Sequence, residues 1–243
     1  MKLTKAVVPS VFTVMNLISG YLAILLIVNG KLLAASYLIL LAAFFDAFDG
    51  KIARKINKPS KFGLEFDSLA DITSFGVAPS VLIYKAFSGE WVVVGALIAF
   101  LPLLFAGIRL ARYNIHSGEQ KGHFIGLPAP SMATILAGFV LFYLEIPYNI
   151  GALRFVLPLV FGLSFLMVSS MPFYKFPNIA LKNNGKPNLL LYFFLLSLVL
   201  MFLFRGLVIF PVVFLFLMFN LFRWGFTYGK DEDSEMANNG VRD

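Results

Sequence analysis

The sequence contains no cysteine, and only two histidines and two tryptophans among 243 residues. Without thiols there is no disulfide framework and no thiolate metal site, and the absence carries no message about compartment. His116 and His123 lie in or beside the polar stretch from Ser117 to Pro130 and read as loop residues rather than catalysts. Charge is scarce: 14% of residues are charged and only 13 are acidic. A cleavable leader is also not expected. Residues 1–8 are weakly charged, the apolar block after them is too long, and no small-residue cleavage site stands out, so the first block is expected to be a permanent helix.

What is present is apolar surface, with 59% hydrophobic residues and a mean hydropathy of +0.84. A soluble domain cannot hide that much. The apolar residues come in blocks long enough to cross a bilayer, which takes about 20 residues per helix. A membrane β-barrel would show short alternating segments, and these blocks do not alternate. The fold class is therefore all-α, a polytopic membrane helix bundle. Eight spans can be drawn, at 9–29, 32–56, 64–86, 91–113, 129–147, 150–171, 188–204 and 206–225. Turn residues or charge separate them, as at Asn29-Gly30-Lys31, Asn57-Lys58-Pro59-Ser60 and Ser88-Gly89-Glu90. The last two are joined only by Arg205-Gly206, so a re-entrant hairpin is the alternative there. Residues 1–229 then form one transmembrane domain, and 230–243 a polar, disordered cytoplasmic tail.

A net charge of +7 in a soluble protein would suggest nucleic acid; here its distribution follows topology, and nucleic acid is not an expected partner. With the N-terminus in the cytoplasm, the outside keeps only Lys31, Lys85, Arg154 and Arg205 of the 20 basic residues. The C-terminus is then cytoplasmic too.

The acidic residues are concentrated. Asp46 and Asp49 are three apart and share a helix face, which Gly50 and Ala53 continue with small side chains. Asp67 and Asp71 are four apart and share a face on the next helix. A short loop makes the two helices antiparallel neighbours, so both pairs converge near the cytoplasmic side. Four carboxylates at one point repel unless protonated or metal-bound, and oxygen donors suit Mg²⁺, Mn²⁺ or Ca²⁺. Spacing alone leaves three readings open: a metal site, an ion or solute transport pathway, and solvated helix ends. Lys51, Lys55, Lys58 and Lys61 are explained by topology, whereas Arg54 also fits a phosphate-bearing ligand.

The fixed residues Asp46, Asp49, Gly50, Ala53, Arg54, Gly63, Asp67 and Asp71, at these spacings, resemble a complete CDP-alcohol phosphotransferase signature spanning 26 residues. Beyond it, the stretch from Ser68 to Pro79, Arg109-Leu110-Ala111-Arg112-Tyr113-Asn114, Phe124 to Pro130, and Val8-Pro9-Ser10 through Asn16-Leu17 resemble the phosphatidylserine synthase branch. The resemblance implies a six-helix transferase core with two added C-terminal helices, commonly a homodimer in a membrane. It implies a CDP-activated lipid and L-serine as substrates, with phosphatidylserine, or its archaeal diether equivalent, and CMP as products. It makes Asp46 and Asp67 ligands shared by two divalent metals, with Asp49 on one metal and Asp71 on the other, and Asp71 the general base. Pro9, Thr13, Gly50, Ala53, Arg54, Ser60 and Gly63 then belong to the CDP-lipid site. Serine carries a carboxylate, which Arg109 and Arg112, three apart at the cytoplasmic end of the fourth span, are placed to grip, with Asn16 as a further acceptor contact. Positive-inside placement explains the same arginines equally well. An acceptor such as inositol phosphate or glycerol phosphate is the alternative within the same chemistry.

Overall fold

The computed structural model describes residues 11–56, 61–89, 92–116, 124–145, 152–169, 171–173, 182–183, 186–187 and 206–239. Helix α1 (Val11–Val28) ends in a reversal that Gly30 makes possible. Gly30 adopts φ +74°, where its N–H reaches the Ile27 carbonyl and that of Lys31 reaches the Leu26 carbonyl, both at 2.9 Å. This pairing satisfies carbonyls that the helix end would otherwise leave bare, and only glycine takes that backbone conformation at no steric cost. The chain turns straight into α2 (Leu32–Ile56), which packs back along α1.

The next apolar stretch runs from Phe62 to Phe87, but it is not one uniform helix. It comprises α3 (Lys61–Asp71), a π-helical segment (Ile72–Val77) and α4 (Ala78–Phe87). Within it the Ala78 N–H bonds the Thr73 carbonyl, five residues back. Pro79 supplies a cause: it has no N–H for the Phe75 carbonyl, and its ring crowds that carbonyl, so the turn widens. Helix α5 (Val92–His116) carries Pro102 inside it. Phe124–Ile125 (β1) pairs antiparallel with Pro172–Phe173 (β2), tying the approach to α6 (Ala129–Glu145) to the end of α7 (Ala152–Val168). Lys182–Asn183 (β3) and Lys186–Pro187 (β4) form a second two-residue pairing, and α8 (Gly206–Asn239) follows.

Helix α6 is buried nearly all round, from Ala129 and Met132 through Ala133, Leu136 and Ala137 to Val140, which makes it the central rod of the bundle. It packs against α2, α4, α7 and α8. Alanine recurs at these contacts, as at Ala23, Ala35, Ala42, Ala78 and Ala106, and small residues bring helix backbones close where no water drives them together. The outer faces show the reverse: Val93, Leu97, Phe165 and Phe222 are mostly exposed, as side chains facing lipid are.

Four helical stretches, Val11–Val28, Leu32–Gly50, Phe62–Phe87 and Val92–Ile115, are long and apolar enough to cross a membrane. Ala129–Glu145, Arg154–Val168 and Val208–Phe222 are shorter apolar helices. The chain is thus an all-α integral membrane bundle. The expected span at 188–204 lies outside the described residues. At the C-terminus the last helix runs on through Lys230 to Asn239. Lys, Glu, Met and Ala are good helix formers, and extending an existing helix avoids the cost of nucleating one.

Candidate active site

The α1–α2 reversal and the return through α3 set three helices side by side, and their polar residues meet on the inner face. Asp46 comes from α2, Asp67 and Asp71 from α3. One carboxylate oxygen from each lies within 4.8 Å of the others. All three side chains are partly buried, and Oδ1 of Asp67 is sealed from solvent without a hydrogen-bond partner among the described residues. A buried carboxylate oxygen left bare is costly unless a cation completes it. Three converging hard-oxygen donors, one of them orphaned, therefore fit a divalent cation of the Mg²⁺, Mn²⁺ or Ca²⁺ kind.

Asp49 stands beside this trio but outside it. It is close enough to act electrostatically on Asp46 and Asp67, and it accepts a hydrogen bond from the buried Thr13 hydroxyl of α1. Asn16, one turn further along α1 and fully buried, donates its side-chain amide to Oδ1 of Asp71 at 3.0 Å. Ser74, in the π segment, donates to the Asn16 backbone carbonyl at 3.0 Å. The two helices approach closely here because residue 20 is glycine: a Cβ on Gly20 would lie 2.2 Å from the Ser74 oxygen and 2.7 Å from its Cα.

Arg109 of α5 lies beside the trio. It interacts with the charges of Asp71 and Asp46, and its Nε is buried with no hydrogen-bond partner among the described residues. Arg112 diverges from it. That side chain is exposed and donates from Nη1 to the Val168 carbonyl at the end of α7, at 3.2 Å. Spacing puts the two arginines on one face; tertiary contacts aim one at the carboxylates and the other across the helix surface. Near them Asn114 bonds Ser68 at 3.1 Å and donates to Glu65 at 3.4 Å, linking α5 to α3.

The remaining expected site residues divide by position. Gly50 is exposed on α2 with no atom within 4 Å of where a Cβ would sit, which leaves room for a ligand beside Asp46. Gly63 lies in the first turn of α3. Ala53 and Arg54 belong to the last turns of α2, where only the backbone is described, and Pro9 and Ser60 lie outside the described residues. Sequence inspection misses Ser74, Gly20, Ser68, Asn114 and Glu65 as site-supporting residues. Ser68, Ser74 and Asn114 lie in the stretches that carry the family resemblance, and Gly20 is a small residue one turn after Asn16 on the same face.

A family model described as CDP-alcohol phosphatidyltransferase matches residues 6–167, from just before α1 to the last turn of α7. An archaetidylserine synthase of Methanothermobacter thermautotrophicus is 39% identical over 169 residues, covering 68% of each chain. A CDP-diacylglycerol–serine O-phosphatidyltransferase of Helicobacter pylori is 33% identical over 226 residues, 91% of this chain and 92% of that one. Its counterpart from Bacillus subtilis is 36% identical over 176 residues, 72% of this chain and 94% of the other.

Proposed function

The chain belongs to the CDP-alcohol phosphatidyltransferase family, and on that footing we propose that it joins a CDP-activated lipid to L-serine, making phosphatidylserine or its diether equivalent and releasing CMP. The observation that carries this reading is the convergence of Asp46, Asp67 and Asp71 from two antiparallel helices of an integral membrane enzyme. Family membership supports phosphoryl-transfer chemistry at these carboxylates over a transport pathway. The names of the relatives supply serine as the acceptor.

The serine hydroxyl oxygen attacks the lipid-side phosphorus. A new phosphorus–oxygen bond forms, the bond from that phosphorus to the bridging oxygen breaks, and CMP leaves with the electron pair. The hydroxyl proton passes to the Asp71 carboxylate. Asp46, Asp49, Asp67 and Asp71 would hold two divalent cations, Mg²⁺ or Mn²⁺, which would supply charge neutralisation at the diphosphate and the leaving CMP. Arg109, buried beside Asp46 and Asp71 with its Nε unused, is the better partner for the serine carboxylate; Arg112 already serves the Val168 carbonyl. Thr13 holds Asp49, and Gly50 with Arg54 borders the nucleotide. Both termini and the site face the cytoplasm, where CDP and serine arrive from water while lipid tails stay in the bilayer. A homodimer is part of the same proposal.

The test is CMP release from purified protein given CDP-activated lipid, with and without Mg²⁺ or Mn²⁺. Serine is set against glycerol phosphate and inositol phosphate as acceptors. Metal-dependent release with serine alone is expected. Release with a phosphorylated acceptor instead would move the activity elsewhere in the family.

A further inference from the structure

The unusual feature of α1 is a fully buried amide in the middle of an apolar helix. Such a group costs free energy in a membrane unless its hydrogen bonds are satisfied, and Asn16 is only half satisfied. Its Nδ2 donates to Asp71, while its Oδ1 is buried without a partner among the described residues. The orientation is chemically constrained: reversing the amide would set its oxygen against a carboxylate oxygen, acceptor against acceptor. The same residue is gripped a second time through its backbone carbonyl by Ser74. Asp71 and Ser74 straddle the start of the π-helical segment, and both reach one residue on α1. Gly20 completes the arrangement. A methyl there would collide with the Cα of Ser74, a backbone atom that no rotamer change can move aside.

We propose that Asn16 is a positioning residue for the transfer reaction: clipped to α1 by Ser74 and Gly20, it locks the Asp71 carboxylate so that its second oxygen is presented to the acceptor hydroxyl. This rests on Asp71 being the base of the proposed function. It differs from a direct acceptor contact, because a group acting through Asp71 alters the rate of the bound complex rather than the affinity for serine.

The experiment uses the full chain in detergent or nanodiscs, measuring CMP release with serine, the KM of each substrate, and Mn²⁺ bound per chain by electron paramagnetic resonance. Asn16→Leu keeps the branching of the side chain and removes the donor. At saturating metal it is expected to lower kcat about 10- to 100-fold, the scale of a misplaced catalytic group, with both KM values within about twofold and Mn²⁺ stoichiometry unchanged. Asn16→Gln, which returns the donor one methylene further out, is expected to recover part of the lost kcat. Gly20→Ala is expected to lower kcat with Asn16 intact. If Asn16→Leu does not yield folded protein, the last two variants decide. An unchanged kcat in Asn16→Leu, or a raised serine KM at unchanged kcat, would overturn the proposal. Wild-type protein that releases no CMP with serine would instead break the functional reading on which it rests.

Discussion

Two halves of this bundle are built on different principles. Where α1, α2, α3, the π segment and α5 meet, nearly every residue that matters is held by a named polar partner: Thr13 on Asp49, Asn16 on Asp71, Ser74 on the Asn16 carbonyl, and Asn114 on Ser68 and Glu65. Where α6, α7 and α8 meet there is a cavity of about 580 Å³ lined by side chains such as Phe139, Phe142, Phe155, Phe210 and Leu217. The rings there touch edge-on or tilted, Phe139 to Phe210 at 5.0 Å and Phe142 to Phe210 at 5.7 Å between centroids. Polar contacts in a bilayer are directional and have few substitutes. Apolar contacts are additive and interchangeable, and they tolerate a void. One half specifies geometry, and the other supplies bulk.

The largest effects should fall on the polar half. Asp71→Asn is expected to cut CMP release about 10²- to 10⁴-fold, the range of a lost general base, in protein that still elutes as folded enzyme; near-wild-type turnover would return Asp71 to a structural part. Chelation is the next test: EDTA is expected to abolish release, and added Mg²⁺ or Mn²⁺ to restore it, because three carboxylates converge there and the Asp67 oxygen has no hydrogen-bond partner among the described residues. A smaller effect separates the two arginines. Arg109→Ala is expected to raise the serine KM about 10- to 100-fold, equivalent to one lost charged hydrogen bond, and Arg112→Ala by less than about threefold. Equal effects would mean that the divergence of the two side chains has no functional consequence.

The smallest effect on turnover tests the comparison most directly, since both halves contain a glycine at a tight helix crossing. A Cβ on Gly138 of α6 would lie 3.0 Å from the Ile209 side chain and 3.3 Å from the Phe210 backbone nitrogen of α8. Gly138→Ala should cost about 1–3 kcal/mol of stability by overpacking, read as a lower thermal midpoint, while kcat stays within about twofold. Gly20→Ala should do the reverse, losing turnover out of proportion to stability. If both glycines behaved alike, the division into a specifying half and a filling half would fail.

Much of the fold was legible because membrane spans are written locally. Apolar blocks bounded by turn residues mark α1, α2, α5, α6 and α7 to within a few residues, and the Gly30 reversal is signalled by Asn29-Gly30-Lys31. The third span reads as uniform, yet it contains the π segment, because hydropathy carries no record of a five-residue hydrogen bond; Pro79 and Gly76 were the only hints. The carboxylates were legible for a different reason: pairs three and four apart each share one face of their helix, and a short loop joins the two helices.

The sequence by itself determined that this chain lives in a membrane as a helix bundle, and it pointed to Asp46, Asp67 and Asp71 as near one another, because both readings depend on neighbours within one or two turns. Only the tertiary structure decided that Asp49 answers to Thr13 while Asp71 answers to Asn16, that Arg109 and Arg112 part company, and that Gly20 sets the distance between α1 and the π segment. Those pairings join residues on different helices, 36 to 56 positions apart. Helical period says which face a residue occupies but not which helix will lie against it.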